Sequence, residues 1–190
     1  MDSLKIKFNQ YKIKKFLYGG EMFFEKKPAL VWTILGSCLA ICFHNERLKT
    51  GAIVHAQLPE RKSGHLKCTD TCPIKCAKAL PNDSAYKYVE CSIRNIIDMF
   101  DNEGIKKSEL SIKLFGGANI IGSKNGRITP VGYQNIEKAL TLIEEYQLKI
   151  VSQNIGGENG RKLFFLTDTG EVYLKNIQER LFNESFTNNI

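Results

Sequence analysis

Between Leu30 and Leu58 the apolar positions come in three short runs, LVWTIL (30–35), CLAICF (38–43) and AIVHAQL (52–58). Each is rich in β-branched or aromatic residues and too short for a helix, so each predicts a strand. Gly36–Ser37 between the first two allows a tight change of direction. The polar NERLKT between the second and third predicts an antiparallel hairpin. Helical spacing appears in two places. Residues 84–103 set Val89, Ile93, Ile96 or Ile97, and Phe100 on one stripe, with Ser84 placed to cap and Gly104 to stop. GYQNIEKALTLIEEYQ sets Ile136, Ala139 or Leu140, Ile143 and Tyr146 on another. LSIKLFGGANI, LKIVSQNIGG, RKLFFLTDTG and EVYLK predict further strands, the last two joined through a DTG turn. Strands outnumber helices, which predicts an α+β domain built on antiparallel sheet.

The hairpin brings two reactive residue types together. A turn centred between positions 46 and 47 sets Cys38 across from His55 on one face of the sheet, with Cα atoms ~4.5–5.5 Å apart. The same register sets Cys42 opposite Gly51, with no base beside it. Taken alone, Cys38 reads first as an inert core cysteine and His55 as a satisfied core histidine. Together, after Gly36–Ser37 whose N–H groups could hold an oxyanion, they also read as a nucleophile and its base.

Composition narrows the alternatives. The 190-residue chain is long enough for one good core and short for two, so a single domain is expected over 28–176, preceded by a basic segment 1–27 with a short edge element and followed by a tail, 177–190. A net charge of +7 sits mainly in the first 30 residues and in 61–87, and the aromatics do not interleave with it as a nucleic-acid stacking platform requires. The most apolar run, PALVWTILGSCLAICF, has 16 residues, short of the ~20 that span a bilayer, and the lysine-rich N-terminus is no signal peptide. A cytoplasmic protein without membrane insertion is expected. Six cysteines there stay reduced. HLKCTDTCPIKC places His65, Cys68, Cys72 and Cys76 close together, but without the paired CxxC spacing of a zinc knuckle, and packed or free thiols are the simpler reading. Glycine pairs 116–117 and 156–157 read as turns, since neither opens a helix in a phosphate-binding pattern.

TILGSCLAICF, GAIVHAQLP, KYVECSI, KLFGGANI, VGYQNI, NIGGENGRKLFF and TGEVYLK, in this order, resemble the chemoreceptor glutamine deamidase family of bacterial and archaeal chemotaxis. The resemblance implies a β-sandwich flanked by helices and a cysteine hydrolase. It would convert receptor glutamines to glutamate with release of ammonia, in some members would also cleave glutamyl methyl esters, and would need no cofactor. It places the nucleophile on Cys38, the histidine on His55 and a helper threonine on Thr33, next to Trp32 where many relatives carry a small hydroxyl residue. Implied partners are the cytoplasmic domains of chemoreceptors and a chemotaxis phosphatase of the aspartyl-phosphate type. A largely non-catalytic regulatory role bound to such a partner is the alternative. Asn154 and Gln134 stand where the family commonly has Asp and Arg, which predicts the loss of an ion pair supporting the loops. The glycine pairs are expected near the rim of the site.

Overall fold

The computed structural model describes residues 2–61, 85–119 and 129–177. In chain order the elements are α1 (Asp2–Asn9), β1 (Ile13–Phe16), β2 (Met22–Glu25), β3 (Ala29–Leu35), β4 (Leu39–Asn45), β5 (Thr50–Ala56), α2 (Val89–Asn102), β6 (Leu110–Gly116), α3 (Val131–Glu145), β7 (Lys149–Ile155), β8 (Gly160–Leu166) and β9 (Val172–Ile177). They form a four-stranded sheet, β1-β3-β8-β9, and a five-stranded sheet, β2-β5-β4-β6-β7. The α+β sandwich flanked by helices is thus what the chain builds. Two pairings are parallel, β1 with β3 and β6 with β7. In the second case α3 is the crossover that parallel neighbours require.

The near-continuous apolar character of β4 and β5 has a structural cause. Both are central strands of the larger sheet and are buried along their whole length. Leu39, Ile41 and Phe43 face α2 and α3 together with Ala52, Val54, Ile93 and Phe100. Ala40, Cys42 and Ile53 face the other sheet and meet Val31, Leu35, Leu163 and Phe165. A strand buried on both faces loses the polar alternation of a half-exposed one. Outside the smaller sheet, Phe8 of α1 packs with Trp32, Phe164 and Tyr173. The basic segment before residue 28 therefore supplies that helix and one edge strand to each sheet.

The helical stripes fall nearly where the spacing puts them. In α2, Val89, Ile93, Ile96, Ile97 and Phe100 are buried. Its end is a Schellman turn, with the Ile105 N–H donating to the Phe100 carbonyl and Gly104 at φ 73°. A 3₁₀ turn, Ala85–Lys87, precedes α2, and Ser84 lies outside the described residues. In α3 the buried choice is Ala139, while Leu140 is exposed.

The hairpin register departs from expectation. His55 faces Ala40, Cys42 faces Ile53, and Gly51 faces His44. The turn is Glu46–Lys49, centred one residue later than the polar run suggests. Two local features fix it: Asn45 Oδ1 accepts the Leu48 N–H at 2.8 Å, and Lys49 takes the left-handed conformation at φ 48°. Cys38 is therefore not directly opposite His55. It sits in the bend before β4, and continuing the ladder by one step would set it across from Gln57.

Candidate active site

His55 and Thr33 reach one another from different sheets. The pleat points Thr33 inward with Val31 and Leu35, whereas Trp32 points to the outer face. The fold thus turns Thr33, and not Trp32, toward His55. Thr33 Oγ1 lies 2.7 Å from His55 Nδ1 and 2.7 Å from the Leu17 carbonyl oxygen. A carbonyl only accepts, so the threonine hydroxyl donates to Leu17 and accepts from Nδ1–H. That fixes the imidazole tautomer with a lone pair on Nε2. Thr33 is fully buried and His55 is 6% exposed.

Cys38 occupies the same inter-sheet side as Ala40 and His55, at a position diagonal to the histidine. Diagonal neighbours on one face lie ~7–8 Å apart, within side-chain reach but beyond direct contact. Among the described residues no hydrogen bond joins Cys38 to His55. Burial pushes the Cys38 thiol up from its ordinary value, against a smaller lowering from its own backbone N–H. Burial also lowers His55 to about 4, with the Leu17 carbonyl and Glu21 opposing. Burial thus disfavours a preformed thiolate–imidazolium pair, contrary to the simplest reading of a cysteine beside a histidine.

The turn carrying Cys38 is held by its carbonyls. The Ala118 N–H donates to Gly36 O at 2.8 Å, the Gly117 N–H to Cys38 O at 2.8 Å, and Asn135 Nδ2 to Ser37 O at 3.0 Å. The Ser37 N–H has no acceptor among the described residues and the Cys38 N–H turns to its own sulfur, so both lie in the turn beside the thiol, where an oxyanion would develop. The glycine pair makes this grip feasible. A Cβ on Gly116, at φ 108°, would lie 2.3 Å from the Cys38 oxygen, and one on Gly132 would lie 2.6 Å from the Gly117 oxygen. Only glycine lets β6 and α3 close on the turn so tightly.

Comparison with known proteins decides the family. Residues 73–176 match the family model described as CheD chemotactic sensory transduction. A probable chemoreceptor glutamine deamidase CheD 2 of Geobacter sulfurreducens is 35% identical over 85% of this chain and 89% of its own. Similar proteins include a probable chemoreceptor glutamine deamidase CheD of Maridesulfovibrio salexigens, 34% identical over 92% of this chain and 98% of its own. Another, from the archaeal genus Methanococcus (M. maripaludis), is 29% identical over 82% and 90%. The chain belongs to the CheD family. The family model begins beyond Cys38 and His55, but an alignment over 85% of 190 residues reaches across both positions.

In this CheD protein the two departures from the family pattern do not meet each other. Gln134 donates to the Thr129 carbonyl at 2.6 Å. Asn154 Oδ1 accepts from Arg161 Nε at 2.5 Å. The cation supporting the loops is Arg161, buried, which also donates to Gly116 O at 3.3 Å and Gly156 O at 2.6 Å. Its partners are all neutral, and burial pulls its pKa down. The Gly156 N–H returns to Gly116 O at 2.8 Å, so both glycine pairs are linked beside Cys38. Arg161 and Asn135 were missed by sequence reasoning. Arg161 carries the weak signal of a charged residue heading an apolar strand, RKLFFL, and Asn135 that of a polar residue on the inward side of a helix. His65, Cys68, Cys72 and Cys76 lie outside the described residues, and no metal-binding cluster occurs among those described. No described helix is long and apolar enough to cross a membrane.

Proposed function

We propose that this protein deamidates glutamine side chains of chemoreceptors through a Cys38 thioester, with His55 as acid and base and Thr33 as the group that orients it. The observation that carries the reading is the Leu17–Thr33–His55 chain, which commits Nδ1 and leaves the lone pair on Nε2, in a histidine that faces the same inter-sheet side as Cys38. Because burial disfavours the preformed ion pair, the thiol proton passes to Nε2 as sulfur attacks the carboxamide carbon. The Ser37 and Cys38 N–H groups receive the oxyanion. Imidazolium returns the proton to nitrogen, the C–N bond breaks and ammonia leaves. Water then gives a proton to Nε2 and its oxygen attacks the thioester. The C–S bond breaks, sulfur regains the proton, and glutamate is released. The same sequence with methanol as leaving group covers glutamyl methyl esters. No step calls on a cofactor.

The relatives' names support receptor glutamine as the substrate. Incubation with the cytoplasmic domains of chemoreceptors, followed by mass spectrometry, should show conversion of particular glutamines to glutamate by the wild type and none by Cys38→Ala. Unchanged receptors from several cognate pairs would overturn the reading. A regulatory role, bound to a chemotaxis phosphatase in the cytoplasm, is the second outcome of that comparison. It predicts that Cys38→Ala still restores signalling.

A further inference from the structure

The side chain of Asn135 is fully buried, and it spends both its N–H bonds on the two halves of the site. Nδ2 donates to Ser37 O, the residue before the nucleophile, and to Gln57 O, two residues beyond the histidine, each at 3.0 Å. It is the one side chain among the three groups that grip the Gly36–Cys38 turn, the other two being backbone N–H groups. The amide cannot be turned around, because Oδ1 would then face two carbonyl oxygens. In the orientation it holds, Oδ1 is buried without a hydrogen-bond partner among the described residues.

Its two hydrogen bonds span two separate loops, the turn of Cys38 and the chain beyond His55. We infer that Asn135 is a positioning residue of the thiol reaction: it ties the turn of Cys38 to the end of β5 and so sets the separation between Cys38 and His55. Two other features fit. Gly132, which a Cβ would drive into Gly117, lets α3 approach until its next inward turn reaches Ser37. Cys38 and His55 also lie on a diagonal and not directly across a ladder, so strand pairing alone does not fix their distance. The inference rests on the deamidase reading above.

The test is the rate at which iodoacetamide labels Cys38 as a function of pH, measured on the full chain for wild type, His55→Ala, Asn135→Ala, Asn135→Ser and the His55→Ala/Asn135→Ala double variant. A misplacement of the order of 1 Å can cost roughly 100-fold in rate, so Asn135→Ala should slow Cys38 labelling about 10- to 100-fold. Asn135→Ser, which keeps one donor, should fall between it and wild type. The double variant should react no more slowly than His55→Ala alone, because the asparagine acts through the histidine. Receptor deamidation by Asn135→Ser should lose kcat with KM unchanged. Losses that multiply in the double variant would overturn the inference and leave the dyad intact. Unfolding of both single Asn135 variants, seen as fast labelling of the buried Cys42 and Cys91, would overturn it too, making the residue structural. Labelling of Cys38 indifferent to His55→Ala would instead remove the dyad on which it rests.

Discussion

His44 and His55 stand on the two strands of one hairpin, face the same neighbouring sheet, and are almost equally sealed, at 5% and 6% exposure. What separates them is where their nitrogens go. At the closed end, His44 Nε2 donates to the Asp168 carbonyl at 3.1 Å and Nδ1 lies 3.8 Å from the exposed Glu46 carboxylate. Nε2 of that ring is held by the turn after β8, and Nδ1 faces only an exposed carboxylate. At the open end only Nδ1 of His55 is committed, and the strand pairing stops one step before the cysteine. Burial of a histidine therefore carries little information about chemistry. One nitrogen held by a buried hydroxyl, with a cysteine on the same face of the sheet, carries much more.

The largest effect that follows concerns activity. Cys38→Ala and His55→Gln should each lower receptor deamidation by at least about a thousandfold, or roughly 4 kcal/mol in the barrier. His44→Gln should leave the rate within a fewfold and cost about 1–2 kcal/mol of stability through its lost hydrogen bonds. Mass spectrometry of treated receptors and denaturant melts measure the two quantities. Equal losses of activity at both histidines would erase the distinction between the two ends.

Next in size is the response to acid. His55 is neutral in the fold down to about pH 4, whereas in the unfolded chain it takes a proton near 6.5. Between those values the unfolded state binds more protons than the folded one, so stability rises with pH and falls on acidification. The drop attributable to His55 across that window is about 3 kcal/mol. Melting from pH 7 to pH 4 should show the slope flattened in His55→Gln. An unchanged slope would mean that the imidazole is less buried than the structure has it.

The glycines at the two ends give a matched pair of smaller perturbations. A Cβ on Gly116 meets the Cys38 backbone, and one on Gly170, at φ 68°, meets the His44 ring at 2.6 Å. Each alanine variant should lose about 2 kcal/mol of stability. Only Gly116→Ala should also lose activity and slow the labelling of Cys38, since the backbone it strikes is that of Cys38, the proposed nucleophile.

The same contrast marks the limit of what could be read before the fold was known. Strands β3 to β9, helices α2 and α3 and the α+β class follow from local patterns, and so do the residue types of the site, whereas α1, β1 and β2 do not and the sandwich is implied only by the family resemblance. The hairpin turn was misplaced by one residue because the six-residue run NERLKT leaves its centre open. A side-chain bond from Asn45 and a left-handed Lys49 decide it. The switch of sheets between β1 and β2 had no local signature, and the reach of Asn135 across from α3 and the Arg161 hub had only a faint one. The last two join residues far apart in sequence and spend polar groups whose only trace in the sequence is a polar residue among apolar ones.

Thr33 gives the smallest and most discriminating test, because it alters one bond and no charge. Thr33→Val keeps the shape and removes the hydroxyl that relays Nδ1 to the Leu17 carbonyl. Nδ1 already lies 3.5 Å from that carbonyl, so the ring can swing toward it and keep its tautomer. The loss should then be one of aim and not of proton position, about tenfold in kcat, or roughly 1.4 kcal/mol, with KM unchanged. Thr33→Ser, which keeps the hydroxyl, should recover most of it. If valine proved as damaging as His55→Gln, the threonine would be setting the tautomer itself, and the Leu17 carbonyl would be no substitute for it.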